Sequence, residues 1–118
     1  MKISLYKTPI PLITYCLVCN EKELRKVEKL LNLEKSEFLP YGTEACVDKF
    51  TNKSCVVHLD VTADTDQNNF YALLAHEAVH IYQDMIEEMR EKKPSPEFEA
   101  YSIQNIFLNL LNEFQKRQ

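Results

Sequence analysis

The chain of 118 residues contains a single glycine, Gly42, and this constrains its fold more than any other feature of the sequence. Glycine adopts positive φ without steric cost, so the tight turns that need this conformation are commonly built with it. We therefore expect few such turns, and long helices joined by short connections. The length corresponds to one domain, residues 1–118, which is large enough to bury a hydrophobic core of its own.

The composition argues against several classes of protein. The net charge is -4, and Lys and Arg are scattered among acidic residues, so no basic surface is available for nucleic acid. Lys7 and two prolines interrupt the apolar N-terminal segment, which argues against a signal peptide. No segment approaches the roughly 20 apolar residues of a membrane span. We expect a cytoplasmic protein that binds neither nucleic acid nor membranes.

The four cysteines are expected to be free thiols packed in the core. Cys16 and Cys19 have the C-x-x-C spacing of a zinc or redox site, but they lie within the apolar run ITYCLVC. Free cysteine packs as a small hydrophobic residue, which favours burial for these two and for Cys46 and Cys55. The alternatives are a metal site of four cysteines, or disulfides.

Hydrophobic periodicity and capping signals predict six elements in the order β-α-β-β-α-α. Asn20 is a candidate N-cap, and Glu23 three residues later completes a capping-box pattern. Pro94 and Pro96 end the second helix, and Ser95 caps the third. This order predicts a small α+β domain. The predicted strands are 10–19, 45–51 and 54–62, and the predicted helices are 20–33, from 64–69 to 92, and 96–116.

The segment LLAHEAVHIYQDM places His76, Glu77 and His80 in the pattern H-E-x-x-H, in a chain with three histidines. Residues four apart on a helix face the same side, so both imidazoles can bind one ion. Glu77 then lies beside the ion, where it can hold a water molecule. The pattern predicts one Zn²⁺ per chain with Glu77 as the catalytic base. The alternative is a core helix without metal, whose two histidines are partly buried and hydrogen-bonded to their neighbours and whose Glu77 is exposed.

A third zinc ligand is expected from the last helix, which begins with two glutamates. Glu99 shares a helical stripe with Ile103, Ile106 and Leu110, which is expected to face the core. A carboxylate on such a stripe needs a partner. Glu97 falls on a more polar side, where the helix dipole favours it without any metal. Glu99 is therefore the predicted ligand.

The motif HEAVHIYQ followed by PSPEFEAYSIQNI resembles the gluzincins, the thermolysin-like clan of zinc peptidases, and in particular the small minimal gluzincins encoded by phages and prophages. The resemblance is strongest over residues 75–107, and Glu99 follows His80 by 19 residues, close to the usual gap of the clan. It implies a zincin-like domain in which a short sheet packs on the active-site helix and a C-terminal glutamate helix. It also implies zinc bound by His76, His80 and Glu99, with Glu77 as general base.

The function implied by this resemblance is that of a zinc-dependent hydrolase, a metallopeptidase that cleaves a peptide or protein, in the host cytoplasm if a phage encodes it. Two features depart from the clan. Its subdomain with a further His and Tyr is not expected in the 19 residues after Glu99, and Ile103 replaces a common aspartate. The alternative is a zinc-binding phage protein without peptidase activity, such as another amide or ester hydrolase or an interaction factor.

Other residues are candidates for supporting roles. The developing oxyanion needs a donor besides zinc, and the candidates are His58, Tyr82 and Tyr101. Asp84 and Ser102 are candidates for orienting a zinc-bound histidine. The alternatives are a solvent-facing His58 and tyrosines that pack in the core with hydrogen-bonded hydroxyls. Because zincins commonly receive an extended substrate on a strand beside the active-site helix, strand 54–62 is the expected substrate strand.

Overall fold

The computed structural model describes residues 2–118 and shows an α+β fold with a four-stranded mixed sheet and three helices. It contains the six predicted elements and one that was not predicted, a two-residue strand at Tyr6–Lys7 that pairs antiparallel with the next strand. This strand is too short to show a period in the sequence. The elements are β1 (Tyr6–Lys7), β2 (Thr14–Val18), α1 (Glu21–Leu31), β3 (Ala45–Lys49), β4 (Ser54–Leu59), α2 (Gln67–Met89) and α3 (Pro96–Gln115).

The strand order in the sheet is β1-β2-β4-β3. The two central strands, β2 and β4, run parallel, and each outer strand is antiparallel to its neighbour. All six residues of β4 are buried. Central strands covered on both faces carry nearly continuous apolar runs, and this explains sequences such as YCLV and CVVHL.

Two hydrophobic cores lie on opposite faces of the sheet. Val56 and Val57 are neighbours in β4 but belong to different cores, because successive side chains of a strand point to opposite faces. The smaller core lies against α1 and contains Ile3, Cys16, Val18, Leu24, Val27 and Val56. The larger core lies against α2 and α3 and includes Leu17, Val57, Leu59, Leu74, Ile81, Met85, Ile106, Leu110 and Phe114.

The cysteines are free and buried, as predicted. Cys16 belongs to the smaller core and Cys19 to the larger one, so their thiols lie on different faces of the sheet and form no C-x-x-C site. Burial raises the pKa of each of these two thiols to about 12, which keeps them protonated.

The helices begin and end close to their predicted positions, whereas the strands of the hairpin are shorter than predicted. The side chain of Asn20 accepts a hydrogen bond from the Glu23 N–H at 2.8 Å, so the predicted N-cap is confirmed. The β3–β4 connection spans residues 50–53 rather than two residues, since β3 ends at Lys49. Among the described residues, no helix is both long and apolar enough to cross a bilayer.

The turns use positive φ more often than one glycine suggested. Asn32 and Arg90 adopt the left-handed conformation and end α1 and α2. The expectation of few positive-φ turns is therefore wrong. Helix ends and the hairpin impose this conformation on residues other than glycine, at a cost of roughly 1–2 kcal/mol each. The residues with positive φ are Asn32, Leu39, Gly42, Lys53 and Arg90.

Candidate metal centre

The two histidines of the H-E-x-x-H pattern lie on the solvent-exposed side of α2, with their rings directed at each other. The opposite side of the helix packs into the larger core through residues such as Leu74 and Ile81. The His76 and His80 rings are 4.8 Å apart between centroids and inclined at 74°. Their Nε2 atoms are only 3.2 Å apart.

This separation is what one shared zinc ion requires. Zinc binds imidazole nitrogen at about 2.0–2.1 Å, so two nitrogens on a tetrahedral centre lie roughly 3.3 Å from each other. The His76 and His80 nitrogens therefore already stand at the distance of two ligands of one ion. The four-residue spacing on a regular helix produces this convergence.

Glu77 lies beside the histidine pair but is buried, with 5% of the residue exposed. Its Oε1 is 3.9 Å from Nε2 of His76, and its Oε2 has no hydrogen-bond partner. Burial raises the pKa of this carboxyl group, an effect that the charges of His76, His80 and His58 partly offset. An unpartnered buried carboxylate is costly and marks a candidate functional site.

Glu77 and His76 line a cleft between α2 and the loop that leads into β3. The cleft has a volume of about 630 Å³. Its other walls are residues 42–45, Ala72 and Leu73. The exposed histidine and the buried carboxylate therefore face a space that can admit a ligand.

Gln83, which the sequence analysis did not single out, contacts the outer nitrogen of His80. The side-chain oxygen of Gln83 lies 3.0 Å from Nδ1 of His80. The signal was its position three residues after His80, since such residues are neighbours on a helix.

Among the contacts of the described residues, neither of the two residues predicted to orient a histidine hydrogen-bonds to His76 or His80. Asp84 accepts a hydrogen bond from the Cys55 thiol and forms an ion pair with Lys49, both at 3.2 Å. Its carboxylate is thus directed to the sheet rather than to His80, and the prediction for Asp84 is wrong. Ser102 is buried on the core side of α3, in line with Ile106.

Glu99 does not lie on the buried stripe of α3, and that expectation is wrong. The stripe runs through Ser102, Ile106 and Leu110, whereas Glu99 is exposed in the first turn. After burial itself, the charge of Glu99 is the next cause that raises the pKa of Tyr82, which places this carboxylate near the Tyr82 hydroxyl. The contact is imperfect, since that hydroxyl has no aligned hydrogen-bond partner. Glu99 as a zinc ligand stays a prediction.

A different set of residues forms the closest group of metal-binding side chains. Among the described residues, Cys46, Asp48 and His58 are the one group of three or more whose ligand atoms all lie within 4.8 Å of one another. Their positions in β3 and β4 place them on the face of the sheet that carries Val56, towards α1. His58 is therefore separated from α2 by the sheet, and both expectations for it, solvent exposure and a contact at the H-E-x-x-H site, are wrong; it is 0% exposed.

The hydrogen bonds of His58 argue against a metal ion in this second group. Its Nδ1 accepts the Leu39 N–H at 2.9 Å, so in the neutral ring the proton is on Nε2. Nε2 lies 3.1 Å from Asp48 Oδ2, although poor alignment leaves it without a regular hydrogen bond. A metal on Nε2 would require both ring nitrogens to lack protons. Burial and the charges of Asp48 and Glu77 raise the pKa of Cys46 to about 12, so this thiol is protonated in the metal-free protein.

The remaining candidates lie away from the cleft. Tyr101 is 67% exposed on α3, and Tyr82 is buried beside Phe98. The 54–62 segment cannot receive a substrate strand, because β4 is hydrogen-bonded to β2 on one side and β3 on the other. The edge strands of the sheet are β1 and β3, and the first residue of β3, Ala45, lines the cleft.

Comparisons with known proteins give no support for or against these assignments. No protein-family model, curated protein or solved structure matches the chain. The likeness to the gluzincins thus stays a prediction from the motif. The case for a function depends on the geometry of the residues themselves.

Proposed function

We propose that this protein is a zinc-dependent hydrolase, with the metal bound by His76 and His80 and with Glu77 as the general base. The observation that carries the proposal is the convergence of the two Nε2 atoms, 3.2 Å apart, beside a buried carboxylate with an unpartnered oxygen. Glu99 is proposed as the third protein ligand. It can serve only if its side chain turns from Tyr82 towards the histidines, since it stands outside their group.

The chemistry divides between the metal and the protein. Bound zinc supplies Lewis acidity, which polarises a carbonyl group and makes a water molecule acidic near neutral pH. Glu77 accepts the proton of the attacking water and passes it to the leaving group. Its Oε2 is free for this task because no protein donor engages it. Its Oε1 lies 3.9 Å from Nε2 of His76, beside the proposed metal.

A peptide or protein is the substrate class that the fold favours within this proposal. β3 is an edge strand and lines the cleft with Ala45. An extended peptide can pair with such an edge through main-chain hydrogen bonds. The strand would then lead the peptide past His76 and Glu77.

A zinc-binding protein without peptidase activity is the second candidate, and one observation favours it. The side chains that line the cleft include one hydroxyl, that of Thr43, and neither His58 nor Tyr101 is among them. A peptidase needs a donor to the developing oxyanion besides zinc. In this case the metal would support another hydrolysis or binding to a partner.

Two substitutions test the proposal and separate its candidates. Glu77→Gln removes the base and keeps the ligands, so it should retain zinc and lose hydrolysis of a generic protein substrate such as casein by at least ~100-fold. Glu99→Ala should weaken zinc binding, whereas Glu97→Ala, the matched control two residues earlier, should not. Retained hydrolysis in Glu77→Gln would contradict the assigned base. Unchanged zinc affinity in Glu99→Ala would exclude it as a ligand.

A further inference from the structure

We propose that Gln83 is a positioning residue of the metal centre, which holds His80 in the tautomer whose Nε2 is free to bind zinc. The expected effect of Gln83 on zinc affinity rests on the proposed function. The expected effect of Gln83 on the tautomer of His80 concerns the metal-free protein and can be tested by itself.

The geometry around His80 assigns a role to each ring nitrogen. The side-chain oxygen of Gln83 lies 3.0 Å from Nδ1, and a carbonyl oxygen can only accept a hydrogen bond. The ring proton is therefore on Nδ1, and the lone pair is on Nε2. This lone pair points towards Nε2 of His76, which is 3.2 Å away. A shared ion would bind to these two nitrogen atoms.

The two histidines are not prepared to the same degree. The His76 ring makes one hydrogen bond within the described part of the chain, and its partner is His80. With the lone pair of His80 as acceptor, His76 carries its proton on Nε2. It must move this proton to Nδ1 before it can bind zinc, whereas His80 needs no change. Gln83 thus prepares one ligand of the pair in advance.

A metal-bound histidine commonly donates its outer N–H to an oxygen, and loss of that partner typically weakens metal binding about 10–100-fold. Gln83→Leu removes the acceptor while keeping a side chain of similar size. We expect zinc affinity to fall by about this factor. Gln83→Glu keeps an oxygen acceptor at the same position and should restore the affinity. Gln104→Leu, at an exposed position of α3, is the matched control and should bind zinc as the wild type does.

The test combines ¹⁵N NMR of the histidine side chains with zinc titration. In chelator-treated wild type, at a pH where the rings are neutral, His80 should be protonated on Nδ1. In Gln83→Leu the Nε2-protonated form should increase. A wild-type His80 protonated mainly on Nε2, as expected if the amide of Gln83 were reversed, would overturn the inference.

The zinc titration distinguishes a failure of this inference from a failure of the proposed function on which it rests. If the wild type binds zinc and Gln83→Leu binds it with the same affinity, only the role of Gln83 is overturned. Failure of the wild type to bind zinc would refute the proposed function and, with it, the consequence for affinity. A loss in Gln83→Leu that Gln83→Glu restores would support the inference.

Discussion

The buried carboxylate of Glu77 suits the proposed role of a base but destabilises the folded protein. Its carboxyl group is buried and one oxygen lacks a partner, so the charged form is unfavourable in the folded protein. The exposed imidazoles of His76 and His80 offset only part of this cost. A residue that destabilises its own fold is expected where function requires it.

The free energy of unfolding should therefore depend on pH through Glu77. Its pKa in the folded state is raised above the ordinary glutamate value of 4.5, so the folded protein binds more protons than the unfolded one between these two pKa values. The free energy of unfolding thus falls as the pH rises from the unfolded-state pKa of Glu77 to its folded-state pKa. We expect metal-free Glu77→Gln to be more stable than the wild type at neutral pH. The two should converge below about pH 4, where unfolded glutamate is protonated.

Urea unfolding at several pH values, in the presence of a chelator, measures this effect. Glu91→Gln, at an exposed position just after α2, is the control and should show little difference from the wild type at any pH. A Glu77→Gln variant less stable than the wild type at neutral pH would contradict the account. Such a result would mean that the ionised carboxylate has partners that stabilise it.

The helices were predictable because their signals are local, and part of the sheet was not. Asn20 and Ser95 cap α1 and α3 as their positions in the sequence predict. In contrast, the pairing of β2 with β4 is parallel and joins residues far apart in the chain. No local pattern specifies which strand becomes central. The sequence therefore does not reveal that β4 is paired on both sides and cannot accept an extended substrate.

The C-terminal end of α2 offers a test of the conformation that the sequence did not predict. Arg90 ends this helix with φ of 57°, a conformation that costs a non-glycine residue roughly 1–2 kcal/mol. Arg90→Gly removes this cost but increases the entropy of the unfolded chain by about 0.4–1 kcal/mol. We expect a net gain in stability of about 0.5–1 kcal/mol. Arg90→Ala, which has a Cβ, should show no such gain.

Thermal or urea unfolding of the three proteins decides this point. An equal gain in both variants would attribute the effect to loss of the arginine side chain rather than to the left-handed cap. A loss of stability in Arg90→Gly would contradict the assigned conformation.

Across the whole molecule, the part of the site that was predictable is the part that lies on one helix. His76, Glu77 and His80 depend only on the geometry of α2, and the structure brings them together as their spacing predicts. The positions of Glu99 and His58 depend on how α3 crosses α2 and on which face of the sheet a strand residue occupies. Such relations arise from tertiary packing and leave no signal in residue spacing.

Packing at the C-terminal end of α3 illustrates how that arrangement is held. The Arg117 side chain, 5% exposed, hydrogen-bonds to the Leu17 carbonyl at 3.1 Å and to the Glu23 carboxylate at 2.9 Å. The end of α3 is thereby tied to β2 and α1. Glu99 lies in the first turn of the same helix, so its position depends on how α3 packs and not on residue spacing alone.

The central claim is that α2 carries a zinc site, and the most direct test is the metal content of the protein. It should be purified without a metal-affinity tag, and its zinc measured by elemental analysis against protein concentration. The account predicts about one zinc per chain, and much less in a variant with both His76→Ala and His80→Ala. Absence of zinc from the wild type, even after incubation with zinc and removal of the excess, would contradict it. The convergent imidazoles would then be a feature of an exposed helix surface without a metal.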